Sequence, residues 1–260
     1  MLSTLSVAQI QILCHGAALG IFFSLGHFSQ RYTQSLIRRD TLVNVGTGLG
    51  ILVVIKPLMV WLNGILSIHL ISLENLHPLL QFLLAFLLLD FTRYWLHYMH
   101  HRVSFFWQFH RVHHSSATLD STSGLRMHLF DFIQLALLPT LLFSTVFDIR
   151  TWSEWMLPSV LLVGTFFDAS QHANLRFNIA HPMGKTWHKL LNNPHFHAWH
   201  HVRDAQGQDG NYGNVLLVWD RLFGTEVTQD HLPETLGLNQ TQALNTSDPI
   251  SLQLLRRPTS

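Results

Sequence analysis

Long apolar stretches with almost no charge inside them limit what this chain can fold into. The run 7–28 is long enough to cross a hydrocarbon core of ~30 Å at ~1.5 Å per residue. A second stretch, 43–73, is interrupted by Lys56-Pro57 and reads as a kinked or tilted span. A third begins near Pro78 and runs to about Tyr98. Two shorter stretches, 129–147 and 155–169, each contain a proline and are separated by the polar link 148–154. They read as a helical hairpin that either spans or enters partway. Charged residues make up 12% of the chain against 48% hydrophobic, about half the charged share of an ordinary soluble domain. Strand signals are few. The expected fold is all-α: an integral-membrane helical bundle of about four spans, two of them forming the hairpin, with a cytoplasmic histidine-rich helical cap.

Charge placement sets the expected orientation. Arg31, Arg38 and Arg39 follow the first span, and Arg93, Arg102, Arg111 and Arg126 surround the end of the third. Arg176, Lys185, Lys189, Arg203, Arg221, Arg256 and Arg257 follow the hairpin, leaving only Lys56 and Arg150 elsewhere. By the positive-inside rule the N-terminus lies outside, and both histidine-rich stretches and the C-terminus are cytoplasmic. No basic residue precedes the first apolar run and no small-residue cleavage site follows it, so a removed signal peptide is not expected. Residues 1–225 read as a single membrane-embedded domain, with a catalytic part at about 80–225. Residues 226–260, polar and containing Pro233, Pro249 and Pro258, read as a loosely ordered tail. A net charge of +1 gives no reason to expect nucleic acid as a partner. Cys14, the single cysteine, excludes an intrachain disulfide and a thiolate cluster; it reads as a small apolar residue inside a helix.

Histidine is the outlier: 14 of 19 fall between His97 and His201. The first cluster, His97-Tyr-Met-His100-His101, sits at the cytoplasmic end of the third span, where i and i+4 put His97 and His101 on one helix face. His110-Arg-Val-His113-His114 repeats the theme at i, i+3 and i+4, a spacing that can bring three nitrogens into a small volume. Gln171-His172 follows the hairpin, and His197, His200 and His201 repeat i, i+3, i+4. One histidine at a helix end is ordinarily a solvated cap. Two copies of His-x-x-His-His point instead to metal, since neutral imidazole is the commonest protein ligand for iron, zinc, copper or nickel. His97, His101, His110, His113, His114, His172, His197, His200 and His201 make nine candidate ligands. One ion takes about four to six, so nine imply two ions with a position left open. An all-nitrogen site beside apolar walls suits attack on an unactivated C–H bond, although two-metal sites also serve hydrolysis.

Six stretches carry a resemblance to a known family: HYMHH at 97–101, FHRVHHS at 109–115, SGLRMHLFD at 123–131, QHANLRF at 171–177, PHFHAWHHV at 194–202 and NYGNVLLVWDRLFGT at 211–225. In this order, over roughly residues 80–225, they resemble the fatty acid hydroxylase and sterol desaturase superfamily. The resemblance implies a membrane-embedded helical fold and a nonhaem di-iron centre, with zinc able to replace iron in overproduced protein. It also implies hydroxylation or desaturation of a lipid with O2 and an external reductant. Family members place three or four residues between the first ligand pair, and His97 with His101, with three between them, matches the shorter form. His172 matches a histidine often found ahead of the last box. His128 falls where members carry a histidine after an arginine, as an extra ligand, a supporting group or a packing residue. His100, His181, His188 and His195 fit no pattern and read as surface or supporting residues. Asp90, Asp131, Asp168 and Asp220 are candidate acceptors for ligand N–H groups, Asp90 being equally readable as an ion pair with Arg93. NYGN and WDRLFG read as structural, with Gly210 and Gly213 permitting tight turns and Trp219 and Phe223 anchoring the cap at the interface.

No cytochrome-type domain is attached, so the expected electron donor is a separate ferredoxin, or a cytochrome with its reductase. Hydroxylation and desaturation use the same metals and are not separated by sequence. The alternative from another class is a haem-binding membrane electron-transfer protein, which would place single histidines on facing spans rather than group them at helix exits. No His-Glu-x-x-His metalloprotease motif is present, and a transporter would distribute ligands through the spans, where only His15, His27 and His69 occur.

Overall fold

The computed structural model describes residues 7–29, 39–51, 53–54, 70–148, 152–203, 209–227 and 229–258. The first span is helix α1, Val7–Ser29. Residues 39–51 form a helix, α2; most of the second apolar stretch, including Lys56-Pro57, lies outside the described residues. Helix α3 is Pro78–Arg102. Proline suits its first turn, where an N–H would be unpaired, and His77 Nδ1 accepts from Leu79 N at 3.2 Å. The helix runs past the expected end near Tyr98 and carries the whole first box. A short helix α4, Ser104–His110, follows.

The hairpin is present. Its first arm is α5, Leu129–Phe132, continuing through a π-helical turn at Ile133–Leu137 into α6, Leu138–Val146. Pro139 accounts for the widened turn: it offers no N–H and would clash with the carbonyl four residues back in a regular α-helix. The second arm is α7, Met156–His172, with Pro158 in its first turn. Beyond it come α8, Pro182–His188; α9, Pro194–His200; α10, Val218–Phe223; and α11, Pro249–Gln253. Among the described residues the strands are one parallel pair of two residues each, Ile71–Ser72 beside Phe147–Asp148.

Among the described residues three helical stretches are long and apolar enough to cross a membrane: Gln9–Ser29, Pro78–Arg102 and Leu129–Val146. They expose apolar side chains outward, as a lipid-facing surface requires: Ile12 is 70% exposed, Phe28 86% and Leu79 59%. Inside, Ala85 and Leu89 of α3, Phe143 of α6, Val160 of α7 and Trp152 form a core cluster. Helix α1 packs on α7 through Phe22 and Phe166, whose rings are 5.1 Å apart.

The C-terminal segment departs from the loosely ordered tail read in the sequence. Leu244 and Leu252 are buried with Val43 of α2 and Val112, and Leu236 is buried with Leu119 and Ala198. Asp248 caps α11 through Ser251 N at 2.8 Å. Gln253 donates to Met127 O at 2.7 Å and accepts from Leu129 N at 2.9 Å. The segment is polar because its apolar residues are sparse, yet those few are the ones that dock.

Candidate metal centre

The nine predicted imidazoles converge, and they do so in two groups. His97, His101, His110, His114 and His200 form one; His113, His172, His197 and His201 form the other; within each group the ligand atoms lie within 4.8 Å of one another. The grouping differs from a reading in which each box shares one face. Helix α4 stops at His110, and the chain tightens into a 3₁₀ turn at His113–Ser115. Pairs at i, i+4 stay together: 97 with 101, 110 with 114, 197 with 201. The middle histidine of each His-x-x-His-His motif crosses over. His113 joins the pair 197/201 and His200 joins the pairs 97/101 and 110/114. Adjacent residues on a helical turn point about 100° apart, so two neighbouring imidazoles cannot aim at one point but can serve two adjacent ones. The groups touch where the His114 and His201 rings stack at 4.4 Å.

Hydrogen bonds from the outer ring nitrogens fix which nitrogen faces inward. His97 Nδ1 donates to Tyr212 O at 2.9 Å and His200 Nδ1 to Gly210 O at 2.8 Å. His113 Nδ1 donates to Arg126 O at 3.3 Å and His172 Nδ1 to Asp168 O at 2.7 Å. His110 Nδ1 meets both carboxylate oxygens of Asp131 at 3.1 Å. A neutral imidazole carries one proton, so each of these has a bare Nε2. Yet His97 and His110 Nε2 are 3.1 Å apart, and His113 and His172 Nε2 are 3.2 Å apart. Two lone pairs at that separation repel unless a cation lies between them, and neighbouring ligands on an ion with ~2.1 Å bonds are about 3 Å apart. Buried His101 Nε2 and His200 Nε2 have no hydrogen-bond partner. The donor set fits metal ions, and nitrogens this close leave no slot for the flat macrocycle of the haem alternative.

Burial keeps these groups unprotonated. Desolvation, then neighbouring imidazoles, holds His113, His114, His197 and His201 well below the usual histidine range, and desolvation with His100 nearby does the same for His110. His200 is pushed down to about 3 by burial. All stay available as neutral donors near pH 7.

The supporting residues were partly legible. Of the four candidate carboxylates, Asp131 orients a ligand directly, and buried His100 lies on its other side, Nε2 to Oδ1 3.3 Å. Asp168 supports His172 chiefly through its backbone carbonyl. Asp220 accepts from Tyr212 N and Gly213 N, both at 2.8 Å, and from Thr225 Oγ1 at 2.7 Å. It thereby fixes the NYGN turn, where the carbonyls of Tyr212 and of the preceding Gly210 hold His97 and His200. Burial raises its carboxyl to about 6. Asp90 is not within ion-pair distance of Arg93 among the described residues; it accepts from Val215 N, Leu216 N and Trp219 Nε1 and pins the same turn to α3. Trp219 and Phe223 pack on α3, against Phe91 and Trp95. His128 belongs to neither group: Nδ1 accepts from Phe130 N at 3.1 Å and Nε2 donates to Gln253 O at 2.9 Å. His195 Nε2 donates to Gln229 O, and His188 lies against Asn193.

Arg126 went unnoticed in the sequence. It is fully buried, paired with Asp40 at 2.6 Å and bonded to Asn44 at 2.6 Å, while its carbonyl holds His113. A lone arginine beside a histidine gives no sign of burial; the Asp40/Asn44 spacing on α2 is the other half of the signal, 82 residues from Arg126 Nε in the case of Asn44.

Membrane-capable helices carrying a largely buried double histidine cluster at their ends define a histidine-rich membrane protein with the donor set of a metal centre. The chain belongs to the fatty acid hydroxylase family, whose profile matches residues 82–225, more than half of the sequence and every one of the nine imidazoles. It is 33% identical over 172 residues to the alkylglycerol monooxygenase of Xenopus tropicalis, covering 66% of this chain and 35% of that protein. The human alkylglycerol monooxygenase is 30% identical over 169 residues, 65% of this chain and 35% of that one. Ornithine lipid hydroxylase OlsE of Rhizobium tropici is 27% identical over 148 residues, 56% and 41%. The chain thus spans about a third of the length of the alkylglycerol monooxygenases. No solved structure matches it.

Proposed function

We propose that this protein is a membrane oxygenase that hydroxylates a lipid C–H bond with O2, two iron ions and electrons from a separate donor, a ferredoxin or a cytochrome with its reductase. The observation that carries the reading is the pairing of facing bare Nε2 atoms in a buried nine-histidine double cluster, in a chain whose relatives are named as lipid hydroxylases and monooxygenases. His97, His101, His110, His114 and His200 would hold one ion; His113, His172, His197 and His201 would hold the other. Iron bound there supplies the redox chemistry that activates O2 for attack on an unactivated C–H bond.

The chain's own residues do the rest. Carbonyls of Gly210, Tyr212, Arg126 and Asp168 and the Asp131 carboxylate lock ring orientations, so little reorganisation is left for the reaction. Burial excludes bulk water and keeps the donors neutral. The net reaction, RH + O2 + 2 electrons + 2 H⁺ → ROH + H2O, needs an external reductant. In this reading the clusters and the C-terminus face the cytoplasm, where such a donor is found, and the N-terminus lies outside. The test is mass spectrometry of lipid extracts from cells with and without the protein. A lipid gaining one oxygen is expected. Loss of two hydrogens would make it a desaturase instead, and product formed under strict anaerobiosis would contradict both.

A further inference from the structure

One turn below the first box, Arg93 points into a cleft between α3, α6 and α7. An arginine inside a membrane-capable helix demands a partner; Asp90 acts on its charge from beyond ion-pair distance, and its guanidinium N–H groups make no hydrogen bond among the described residues. The cleft it lines holds about 40 Å³. Its polar side is built from Arg93, Asn214, Thr140 and Asp90, and its walls include Phe86 and Leu161. Gly164 of α7 keeps the space beside the guanidinium clear: a Cβ there would stand 3.1 Å from Arg93 Nη1 and 3.8 Å from Asn214 Nδ2. The Asn214 side chain likewise makes no hydrogen bond among the described residues, so two donors face one small space flanked by apolar surface.

We infer that this cleft binds the uncharged, oxygen-bearing headgroup of a single lipid, with Arg93 and Asn214 donating to its carbonyl, ether or hydroxyl oxygens. Asp90 lines the same cleft with oxygens that already accept from three N–H donors, so an acidic head seated beside Arg93 would meet a second acid. Two features tie the cleft to the clustered histidines. Arg93 is i−4 from His97, about 6 Å along α3, and Asn214 follows the Gly210 and Tyr212 carbonyls that orient His200 and His97. This deepens the oxygenase reading and rests on it for the chemistry, but not for the binding.

The test separates the two. Metal-free and iron-loaded protein in detergent are titrated with monopalmitoylglycerol, palmitic acid and hexadecane, with binding read by native mass spectrometry. Monopalmitoylglycerol is expected to bind most tightly to both forms. Arg93→Met, Asn214→Leu and Gly164→Ala are each expected to weaken it about tenfold or more, at unchanged iron content and with hexadecane binding unaltered. Gly164→Ala removes no charge or donor, so it keeps the test open should Arg93→Met fail to fold. Equal binding by wild type and all variants, or tighter binding of palmitic acid than of the neutral lipid, would overturn the site. Binding as expected without any oxygenated product would leave the site standing and remove the oxygenase reading.

Discussion

At the level of single residues, histidines that neighbour each other in sequence part company in space. His113 and His114 serve different groups, as do His200 and His201. His113→Ala and His200→Ala should therefore each strip a ligand from a different centre; both are expected to abolish activity and to lower bound metal, which elemental analysis would read. Unchanged metal in either variant would remove that residue from the ligand set. His128→Ala, by contrast, should leave metal content intact, because that ring caps α5 and ties it to α11. Arg126→Met should destabilise the fold by about 3–5 kcal/mol, as breaking a buried pair does, and a smaller shift in chemical denaturation would mean Asp40 finds water instead. The clustering histidines were legible because they are one residue type repeated at helical spacing. Arg126, Gly210 and Tyr212 were not, since they act through backbone carbonyls, which any residue possesses.

Elements tell a similar story. The apolar stretches predicted α1, α3 and the hairpin because a membrane-crossing helix needs little beyond length and hydropathy. The π-helical turn before Pro139 and the break after His110 depend on local backbone geometry that hydropathy does not encode. The tail was misread for a related reason: docking by Leu236, Leu244 and Leu252 depends on where their partners lie, among them Leu119, Val112 and Val43. Leu252→Ala is expected to cost about 2–5 kcal/mol, the usual range for emptying a buried leucine site; a shift in thermal midpoint near zero would restore the loose-tail reading. Within the NYGN turn, a Cβ at Gly213 would lie 2.6 Å from Leu216 O and 2.7 Å from Asp220 Oδ2. Gly213→Ala should displace the Tyr212 carbonyl, lowering both thermal stability and metal content, whereas a wild-type metal content would uncouple the turn from the centre.

For the whole molecule, buried neutral imidazoles link stability to pH. In the unfolded chain each takes up a proton as pH falls through 6.5, while in the folded chain His200 does so only near 3 and its neighbours stay unprotonated well below 6.5. The unfolded state then binds more protons, so metal-free protein should lose stability as pH drops below about 6.5, by about 1.4 kcal/mol per pH unit for each group, and change little above it. Melting curves from pH 8 to 5 check this; a flat profile would mean the rings are protonated in the fold. That stretches 59 residues apart, at His113 and His172, meet within 3.2 Å follows from the hairpin returning the chain to the ends of α3 and α4. The sequence pattern could imply that meeting but not its crossed pairing.

On the proposed function, imidazoles from both halves of the chain hold two cations side by side. The decisive number is iron per chain, measured after anaerobic loading with ferrous iron and removal of excess. Close to two ions per chain are expected, falling to about one in either His113→Ala or His200→Ala. One ion or fewer in the wild-type protein, or two retained when both histidines are replaced, would rule the paired centre out.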